Sequence, residues 1–292
     1  MIKLSNRKIS VEVSKKGAEL CSIRGLRTKK EYLWQADPAF WNRHSPVLFP
    51  IVGRVWGNEY RHGGIIYSLS QHGFARDMDF SLLSVTDTEI WFRLESDIST
   101  LGKYPFPFIL EIGYRLLANQ IIVSWRVENP SNKGMYFQIG AHPGFYFPAF
   151  KENEEERGYF MFNKSKGLYV TPIVERGCVT TDRQPLELVD GLLPIDVHTF
   201  DNDALILENS QVNEVTLLDV NKKPHLSVRF DAPVVGLWSP PAKNAPFVCI
   251  EPWYGRCDRV NFEGDFREKD WIQYIPLKGV FETSYTITLE KE

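Results

Sequence analysis

This chain contains the segment Ile121-Ile122-Val123-Ser124-Trp125-Arg126-Val127, which is rich in β-branched and aromatic residues. Such residues favour β-strands because their side chains pack well on a pleated surface. The segment is short, and the turn-forming residues Asn119 and Pro130 lie on either side of it. A short branched or aromatic run between turn residues is typical of an antiparallel strand. The segment therefore predicts a β-strand.

The same kind of pattern recurs along the chain. Apolar and polar residues alternate with a period of two in residues 9–13, 226–230 and 285–289. Residues 90–94 and 215–218 are likewise rich in branched and aromatic side chains. A period of two sends successive side chains to opposite faces of a strand. We therefore expect an all-β fold, either an antiparallel sandwich or a barrel.

Helical periodicity is scarce, so we expect few helices and only short ones. The best candidate is one or two turns near residues 37–42, with Asp37 as the N-cap and Pro38 at the first helical position. No linker rich in Gly, Ser or Pro divides the chain, and no repeat of roughly 20–50 residues is visible. The sequence therefore predicts a single domain that spans residues 1–292.

Composition and charge limit the possible functions. The 292 residues include 34 basic and 37 acidic side chains, for a formal charge of −3 at pH 7. Nucleic acid is not an expected partner, because phosphate recognition needs a basic surface that this composition lacks. Aromatic residues make up 13% of the chain. The composition favours a soluble enzyme or binding protein for a small molecule.

The ends and the cysteines predict the cellular location. No apolar region follows Met1 as in a signal peptide, and no apolar stretch approaches the length of a membrane span. We therefore expect no membrane partner. The four cysteines, at positions 21, 178, 249 and 257, lack the spacing of a disulfide framework or a zinc site. We expect reduced, mostly buried thiols in a cytoplasmic protein.

Two histidines stand where predicted strands break into constrained turns. His72 precedes Gly73, and His142 precedes Pro143 and Gly144. Loops on a rigid scaffold are where site residues concentrate. Both histidines are therefore candidate site residues, although a structural histidine that ties a loop to the backbone would show the same pattern.

Glu251 is a candidate proton-transfer group. It follows the apolar run 247–250 and precedes a proline that should end a buried strand. A carboxyl group in that position loses hydration, which raises its pKa towards values useful for proton transfer. The alternative is a carboxylate hydrogen-bonded within a turn or paired with Arg256. Arg54 and Arg76 are equally open, since each fits an exposed salt bridge or a guanidinium group in a cleft.

The sequence contains no motif for a metal or a cofactor. It lacks HExxH, a histidine pair with zinc spacing and an Asp-rich calcium loop. It also lacks a Gly-rich phosphate loop, a dinucleotide fingerprint and a GxSxG nucleophile. We therefore expect no metal and no cofactor. The remaining His, Glu, Asp and Arg residues suit acid–base chemistry on a polyhydroxylated ligand, whose apolar faces would contact aromatic rings.

Six segments, spread over nearly the whole chain, carry a further signal. They are Gly17-Ala18-Glu19-Leu20, Tyr32-Leu33-Trp34-Gln35, Pro46-Val47-Leu48-Phe49-Pro50-Ile51-Val52-Gly53-Arg54, His72-Gly73-Phe74-Ala75-Arg76, Gly140-Ala141-His142-Pro143-Gly144-Phe145 and Glu251-Pro252-Trp253-Tyr254-Gly255. In this order they resemble the aldose 1-epimerase (galactose mutarotase-like) family, most closely its bacterial LacX-type branch. The resemblance implies a large twisted antiparallel β-sandwich, the galactose mutarotase-like supersandwich, with a sugar-binding cleft on an open face.

The resemblance also implies roles for individual residues. Glu251 falls where the family has its general base, and His142 where it has its general acid. The implied reaction interconverts the α and β anomers of an aldohexose by ring opening and reclosure, without a cofactor or a metal. The residues expected to bind the sugar are His72, Arg54, Arg76, Asp203 and Trp253.

Two details of the implied sugar site depend on register. Asp203 and Asp201 compete for the position of a sugar-binding aspartate, and we prefer Asp203 because it directly precedes an apolar strand. The aromatic rings that flank the other site residues are also expected around the sugar. These rings are Phe74, Phe145, Trp253 and Tyr254.

Three other functions stay open at this point. Arg54 and Arg76 could hold a phosphate, which would make the protein a hexose-6-phosphate mutarotase. The same scaffold could also serve a non-catalytic carbohydrate-binding protein, or an interaction module with no small-molecule site. The sequence after Glu251 departs from that of the better-characterised galactose mutarotases and leaves the sugar unidentified. The expected partner is a small-molecule sugar, bound by a monomer or a homodimer.

Overall fold

The computed structural model describes residues 1–290, which consist largely of β-strands. These residues form 26 strands, one short α-helix and three 3₁₀ turns, so the predicted all-β class is confirmed. The helix α1 is Ile98–Leu101, and the 3₁₀ turns are Trp56–Asn58, Ala75–Asp77 and Phe266–Glu268. The strands are β1 (Ile2–Ser5), β2 (Ile9–Val13), β3 (Leu20–Gly25), β4 (Val47–Leu48), β5 (Glu59–His62), β6 (Ile65–Ser68), β7 (Ser81–Val85), β8 (Glu89–Glu95), β9 (Ile109–Leu117), β10 (Gln120–Glu128), β11 (Met135–Phe137), β12 (Ile139–Ala141), β13 (Gly144–Tyr146), β14 (Glu156–Phe162), β15 (Tyr169–Val170), β16 (Ile173–Glu175), β17 (Cys178–Val179), β18 (Gln184–Pro185), β19 (Leu192–Asp196), β20 (Leu205–Leu207), β21 (Glu214–Leu218), β22 (Pro224–Phe230), β23 (Val234–Trp238), β24 (Phe247–Tyr254), β25 (Gln273–Ile275) and β26 (Val280–Leu289).

Two antiparallel sheets form most of the structure. The larger sheet has nine strands in the order β19-β14-β21-β22-β26-β10-β9-β8-β7. The smaller sheet has the order β20-β23-β24-β12-β4, and β13 pairs with β24 as its sixth strand. Side chains from both sheets meet in one hydrophobic core, together with side chains of β2 and β3. This arrangement is the antiparallel β-sandwich that the sequence predicts.

Strand β10 lies in the nine-stranded sheet and shows why the alternation is informative. It pairs with β9 and β26 along its full length, Gln120–Glu128. Every second residue from Ile121 to Val127 is buried, and the residues between them are partly exposed. A shift of one residue would exchange the two faces, so burial of one face determines the register. The strands predicted at 9–13, 90–94, 215–218, 226–230 and 285–289 are confirmed as well.

Of the one or two helical turns predicted near residues 37–42, the structure has one turn and no α-helix. The segment forms a single turn, in which the amide of Trp41 donates to the carbonyl oxygen of Asp37. The Asp37 side chain accepts a hydrogen bond from the amide of Ala39, as an N-cap does. The turn does not continue because the ammonium group of Lys243 takes the carbonyl oxygen of Ala39, and because Trp41 packs among other aromatic rings.

The described residues 1–290 contain one α-helix, α1, and the sequence does not predict it. Asp97 and Thr100 cap its first turn reciprocally, each side chain accepting a hydrogen bond from the backbone of the other residue. Four residues are too few for helical periodicity to show, so only the capping pattern marks it. Within these residues, no helix has the length and apolar character needed to cross a membrane.

The strands β23 and β24 of the smaller sheet are buried on both faces. On β24, Val248 and Ile250 belong to the main core, whereas Cys249 and Trp253 pack on the opposite face. Because successive side chains alternate, Glu251 lies on the same face as Cys249 and Trp253. One strand therefore supports the core and also presents a carboxyl group to the other side of the sheet.

Candidate active site

A pocket of about 320 Å³ lies on the face of the smaller sheet that carries Glu251. Six of the seven residues predicted as site residues line it, although they come from well-separated parts of the chain. They are His72, Arg76, His142, Asp203, Glu251 and Trp253. A concave pocket with apolar walls and a few convergent polar groups is the usual form of a small-molecule site.

His142 and Glu251 form a buried pair in this pocket. Nε2 of His142 lies 3.4 Å from Oε2 of Glu251, and the two residues are 7% and 1% exposed. In the described part of the chain, neither Oε2 of Glu251 nor Nδ1 of His142 has a hydrogen-bond partner. Buried polar atoms are nearly always hydrogen-bonded, so these two atoms have bonding capacity that the protein itself does not use.

The register of the smaller sheet brings the pair together. Gly140 of β12 lies opposite Trp253, and Gly144 of β13 lies opposite Cys249 of the same strand β24. Both pairings follow one register, and that register places His142 directly opposite Glu251. Residues directly opposite on antiparallel strands have their Cβ atoms about 4.5–5.5 Å apart. The sheet itself therefore sets the distance between the imidazole and the carboxyl group.

Aromatic rings hold the imidazole of His142 in place. Its ring stacks on Trp41 with 4.6 Å between the centroids and meets the edge of Trp238 at 5.4 Å. His72 approaches it edge-on at 5.5 Å. With rings on three sides, the imidazole has little freedom to turn away from Glu251.

Burial changes the protonation of the pair. Loss of hydration raises the pKa of Glu251 well above its ordinary value, and the nearby charge of Asp203 raises it further. Loss of hydration, together with the positive charge of Arg76, lowers the pKa of His142 to about 3. Both shifts favour the neutral forms of the two groups over the ionised pair. Because Nε2 of His142 and Oε2 of Glu251 lie 3.4 Å apart, the titrations of the two groups are coupled.

His72 reaches the pocket from a left-handed turn, with φ of 66° followed by 70° at Gly73. A Cβ atom on Gly73 would lie 2.2 Å from the carbonyl oxygen of Phe49, so the turn requires glycine. Nδ1 of His72 accepts a hydrogen bond from the amide of Gly53 at 3.1 Å, which places the ring hydrogen on Nε2. Burial lowers the pKa of His72 well below its ordinary value. His72 therefore ties the loop to the backbone and also offers a neutral donor.

Trp253 lies flat on the sheet because its neighbours are glycines. A Cβ atom would lie 2.4 Å from the indole at Gly236 and 2.6 Å from it at Gly140. The indole Nε1 donates a hydrogen bond to the carbonyl oxygen of Ala141 at 3.1 Å. The two glycines therefore give the pocket a flat, apolar floor.

The two predicted arginines occupy different places. Arg76 lines the pocket and donates a hydrogen bond to the carbonyl oxygen of Gln71 at 2.7 Å. Arg54 does not line this pocket but lies in an adjoining one of about 510 Å³, which Arg76 and Lys103 also line. Arg54 packs beside Gly177, a residue that lines the first pocket. A direct contact of Arg54 with a sugar in the first pocket therefore stays a prediction that its position does not favour.

The structure separates the two competing aspartates. Asp203 lines the pocket, and its Oδ1 accepts a hydrogen bond from the amide of Ala204 at 2.8 Å. Asp201 is exposed, and its Oδ2 lies 2.9 Å from Nδ1 of His198. These positions favour Asp203 as the carboxylate that meets a ligand.

The alternative pairing of Glu251 with Arg256 is wrong. Nε of Arg256 lies 2.5 Å from Oε1 of Glu208, and the same guanidinium group also contacts Asp270. This network keeps Arg256 away from the pocket, whose lining does not include it. Glu251 is therefore left without a basic partner other than His142 among the residues that the structure describes.

The rings around the pocket differ from those predicted. Trp41 and Trp238 line it together with Trp253. The predicted rings that do not line it are Phe74, Phe145 and Tyr254. Tyr254 follows Trp253 on one strand and therefore faces the other sheet, where its hydroxyl group lies 2.6 Å from that of Thr283. Trp238 lies at the end of an apolar strand, which is only a weak indication of a pocket residue. Nothing in the sequence marks Trp41 as a site residue.

A cluster of possible metal ligands, which the sequence does not predict, lies at the wall of this pocket: His142 and Glu251 line the pocket, and Cys249 packs behind them. Within residues 1–290 it consists of His142, Cys249 and Glu251, whose ligand atoms all lie within 4.8 Å of one another. The cluster has no sequence motif because the sheet register, and not a local spacing, brings His142 to the other two residues. All four cysteines are free and buried, as expected.

Known proteins similar to this chain point to one family. The model of the aldose 1-epimerase family matches residues 1–274. The plasmid-encoded protein LacX of Lactococcus lactis subsp. lactis is 30% identical over 302 residues, which cover 99% of each chain. A galactose mutarotase related enzyme from Lactobacillus acidophilus has a similar structure, with a TM-score of 0.93, 35% identity, and coverage of 99% of this chain and 97% of the other. A galactose mutarotase-like protein from Lactobacillus casei has a TM-score of 0.93 and 29% identity, and the match covers 99% of this chain and 100% of the other. This chain belongs to the aldose 1-epimerase family.

Proposed function

We propose that this protein is an aldose 1-epimerase that interconverts the α and β anomers of an aldohexose. The observation that carries the proposal is the buried contact between His142 and Glu251, 3.4 Å apart in a pocket lined by tryptophans. A hemiacetal opens when one group removes the proton of the O1 hydroxyl and another protonates the ring oxygen O5. The pair supplies both groups, and membership of the family supports the same reaction.

In the proposed cycle, Glu251 accepts the proton of O1 while His142 gives a proton to O5. The C1–O5 bond breaks, and C1 becomes part of a free aldehyde. Rotation about the C1–C2 bond presents the other face of the carbonyl group. Reclosure with the roles reversed gives the other anomer and returns the proton from Glu251 to the sugar and from O5 to His142.

The shifted pKa values favour one end of this cycle. Ring opening begins with ionised Glu251 and protonated His142, which is the form of the pair that burial disfavours, and it ends with both groups neutral. Burial favours the neutral pair, which accompanies the open-chain aldehyde. In the proposed cycle, burial therefore favours transfer of the O1 proton to Glu251 and of the His142 proton to O5 once the ionised pair has formed. A positioned proton-transfer group of this kind contributes about 10²–10⁴-fold to the rate.

Other residues of the pocket would hold the sugar. The Nε2–H of His72 can donate to a hydroxyl group, and the carboxylate of Asp203 can accept from one. Trp253 and the neighbouring tryptophans would cover the apolar faces of the ring. Such contacts orient the reacting atoms, and orientation can lower the activation free energy of a reaction by several kcal/mol. The upper limit of this effect is about 7–11 kcal/mol.

Polarimetry of freshly dissolved α-glucose and α-galactose tests the proposal. The protein should accelerate the approach to anomeric equilibrium well above the rate in buffer. Calorimetry in parallel measures binding of the same sugars. Binding without acceleration would mean a carbohydrate-binding protein instead of an epimerase. The absence of both binding and acceleration would reject both functions for these sugars.

A hexose 6-phosphate is a second candidate substrate, which the adjoining pocket favours. Arg54, Arg76 and Lys103 bring three positive charges to that pocket, and no acidic residue of the described chain lines it. It shares Gln71 and Arg76 with the first pocket, so one ligand can reach both. Guanidinium groups suit phosphate oxygens because they donate two parallel hydrogen bonds.

Thermal shift separates the two substrates. If the phosphate is bound, glucose 6-phosphate raises the melting temperature more than glucose does at equal concentration. Arg54→Gln should then remove the difference, whereas Arg115→Gln, on the nine-stranded sheet, should keep it. Equal shifts for the two ligands in the wild type would favour the unphosphorylated sugar.

A further inference from the structure

We propose that His142, Cys249 and Glu251 form a binding site for a thiophilic divalent cation such as Zn²⁺ or Cd²⁺, and that the bound cation blocks the acid–base pair. The site would be inhibitory, since it uses the same imidazole and carboxyl group as the proposed reaction. Binding of the cation does not depend on the proposed function, whereas its inhibitory effect does.

The ligand types and their support fit such a cation. Imidazole nitrogen, thiolate sulfur and carboxylate oxygen are the three kinds of ligand that zinc takes in proteins. Cys249 and Glu251 lie two residues apart on one face of β24, and His142 lies opposite Glu251 in the sheet register. All three residues are buried on a rigid sheet, so the ligands are held near one another before any cation binds.

The distances fit as well. The three ligand atoms are at most 4.8 Å apart. An equilateral triangle with sides of 4.8 Å has its centre about 2.8 Å from each corner, which is the least favourable case. Bonds to zinc are about 2.0–2.3 Å long, so each ligand needs to move by less than about 1 Å. Side-chain rotations can supply a movement of this size.

Unsatisfied atoms in the cluster point to a ligand. Oε2 of Glu251 and Nδ1 of His142 are buried and have no hydrogen-bond partner in the described residues. His142 and Glu251 line the pocket, whereas Cys249 packs behind them among apolar side chains. A cation at the centre of the cluster would therefore have three protein ligands and a fourth position that faces the pocket.

Charge balance favours a dication in particular. A cation binds the thiolate form of Cys249 and the carboxylate form of Glu251, and any proton that these groups carry leaves to the solvent. Thiolate, carboxylate and a dication then sum to zero charge, so the buried site remains neutral. A neutral site avoids the large cost of an uncompensated buried charge. With both His142 and Glu251 bound to the metal, neither can transfer a proton to a sugar.

Titration with Cd²⁺ followed by ultraviolet absorption tests the site, because a cadmium–thiolate bond has its own charge-transfer band. We expect a band that saturates at one Cd²⁺ per chain in the wild type. Cys249→Ala should lose the band, and Cys21→Ser, which removes a buried thiol elsewhere, should keep it. Saturating sugar should weaken Cd²⁺ binding by competition for the pocket.

The activity measurement gives a second test. Each variant's anomerisation rate with Cd²⁺ is divided by its own rate with a chelator. Cys249→Ala should need at least about tenfold more Cd²⁺ for half-inhibition than the wild type, which corresponds to about 1.4 kcal/mol of binding free energy. Equal sensitivity of the two proteins, or the same band in both, would overturn the proposal.

Two controls keep the result decisive. If Cys249→Ala does not fold, Glu251→Gln removes another ligand while it keeps the shape of the side chain. This variant should bind Cd²⁺ at least about tenfold more weakly, and unchanged affinity would contradict the site. If the wild type has no epimerase activity, the absorption titration still decides whether the cation binds.

Discussion

His142 lies directly opposite Glu251 across two antiparallel segments of the smaller sheet, and their side chains meet at 3.4 Å. A loop would let the two groups drift apart, whereas a shared register keeps them in contact. The proline that follows His142 interrupts the strand pairing but not the register, which continues at Gly144. The proposed acid and base are therefore parts of the scaffold itself.

The floor of the pocket depends on Gly236. In Gly236→Ala the new Cβ would lie 2.4 Å from the indole of Trp253, so the ring must move. We expect a loss of about 1–3 kcal/mol in the free energy of unfolding, as for other overpacked sites, and weaker sugar binding. Urea unfolding and calorimetry measure the two effects. Gly102→Ala, where the nearest atom would be 3.7 Å away, should change neither, and equal effects at both positions would contradict the role of Gly236.

Asp203 and Asp201 offer a matched pair of substitutions. Asp203→Asn removes a charged acceptor from the pocket, and we expect KM for the sugar to rise by about tenfold, because a hydrogen bond to a charged group contributes about 1.5–3 kcal/mol. Asn can keep the left-handed backbone at this position, where φ is 74°. Asp201→Asn should leave KM unchanged. Steady-state kinetics would contradict the assignment if Asp201→Asn had the larger effect.

The buried histidine makes stability depend on pH. The pKa of His142 is lowered to about 3 in the folded protein, so between about pH 3 and the ordinary value of 6.5 the unfolded chain binds more protons. The contribution of His142 to the free energy of unfolding therefore rises with pH through this window and is complete above it, whereas the raised pKa of Glu251 contributes in the opposite direction. In His142→Asn, the free energy of unfolding should rise less steeply with pH, by at most about 1.4 kcal/mol per pH unit.

Urea unfolding at several pH values between 3.5 and 7 measures this slope. His225 is also buried with its pKa lowered to about 3, so part of the slope should remain in the variant. His198→Asn is the control, because His198 is exposed and its ring lies against the surface carboxylate of Asp201. A slope in His142→Asn equal to that of the wild type would show that His142 does not titrate as its burial implies.

Local patterns predict the strands of this fold well, because alternation reports burial within one segment. Strand β10 is an example, since its buried residues are those that the period of two selects. The turn at residues 37–42 does not continue into a helix, and this has the opposite cause. Its cap is present, but Lys243, which is distant in sequence, takes a carbonyl oxygen that a helix would use.

The site is predicted residue by residue where a short segment carries the information. His72, His142 and Glu251 stand in such segments, and all three line the pocket. The contact between His142 and Glu251 depends on which strands pair, and no local pattern reports this. No local pattern reports that Trp41 lines the pocket or that Cys249 packs behind the pair, either.

The central claim is that Glu251 and His142 exchange protons with the sugar. Exchange NMR of an anomeric mixture of the sugar on which the wild type acts measures the interconversion rate directly. We expect Glu251→Gln and His142→Asn each to lower kcat by about 10²–10⁴-fold, while the melting temperature shows that both variants are folded. Interconversion by either folded variant at the wild-type rate would contradict the claim.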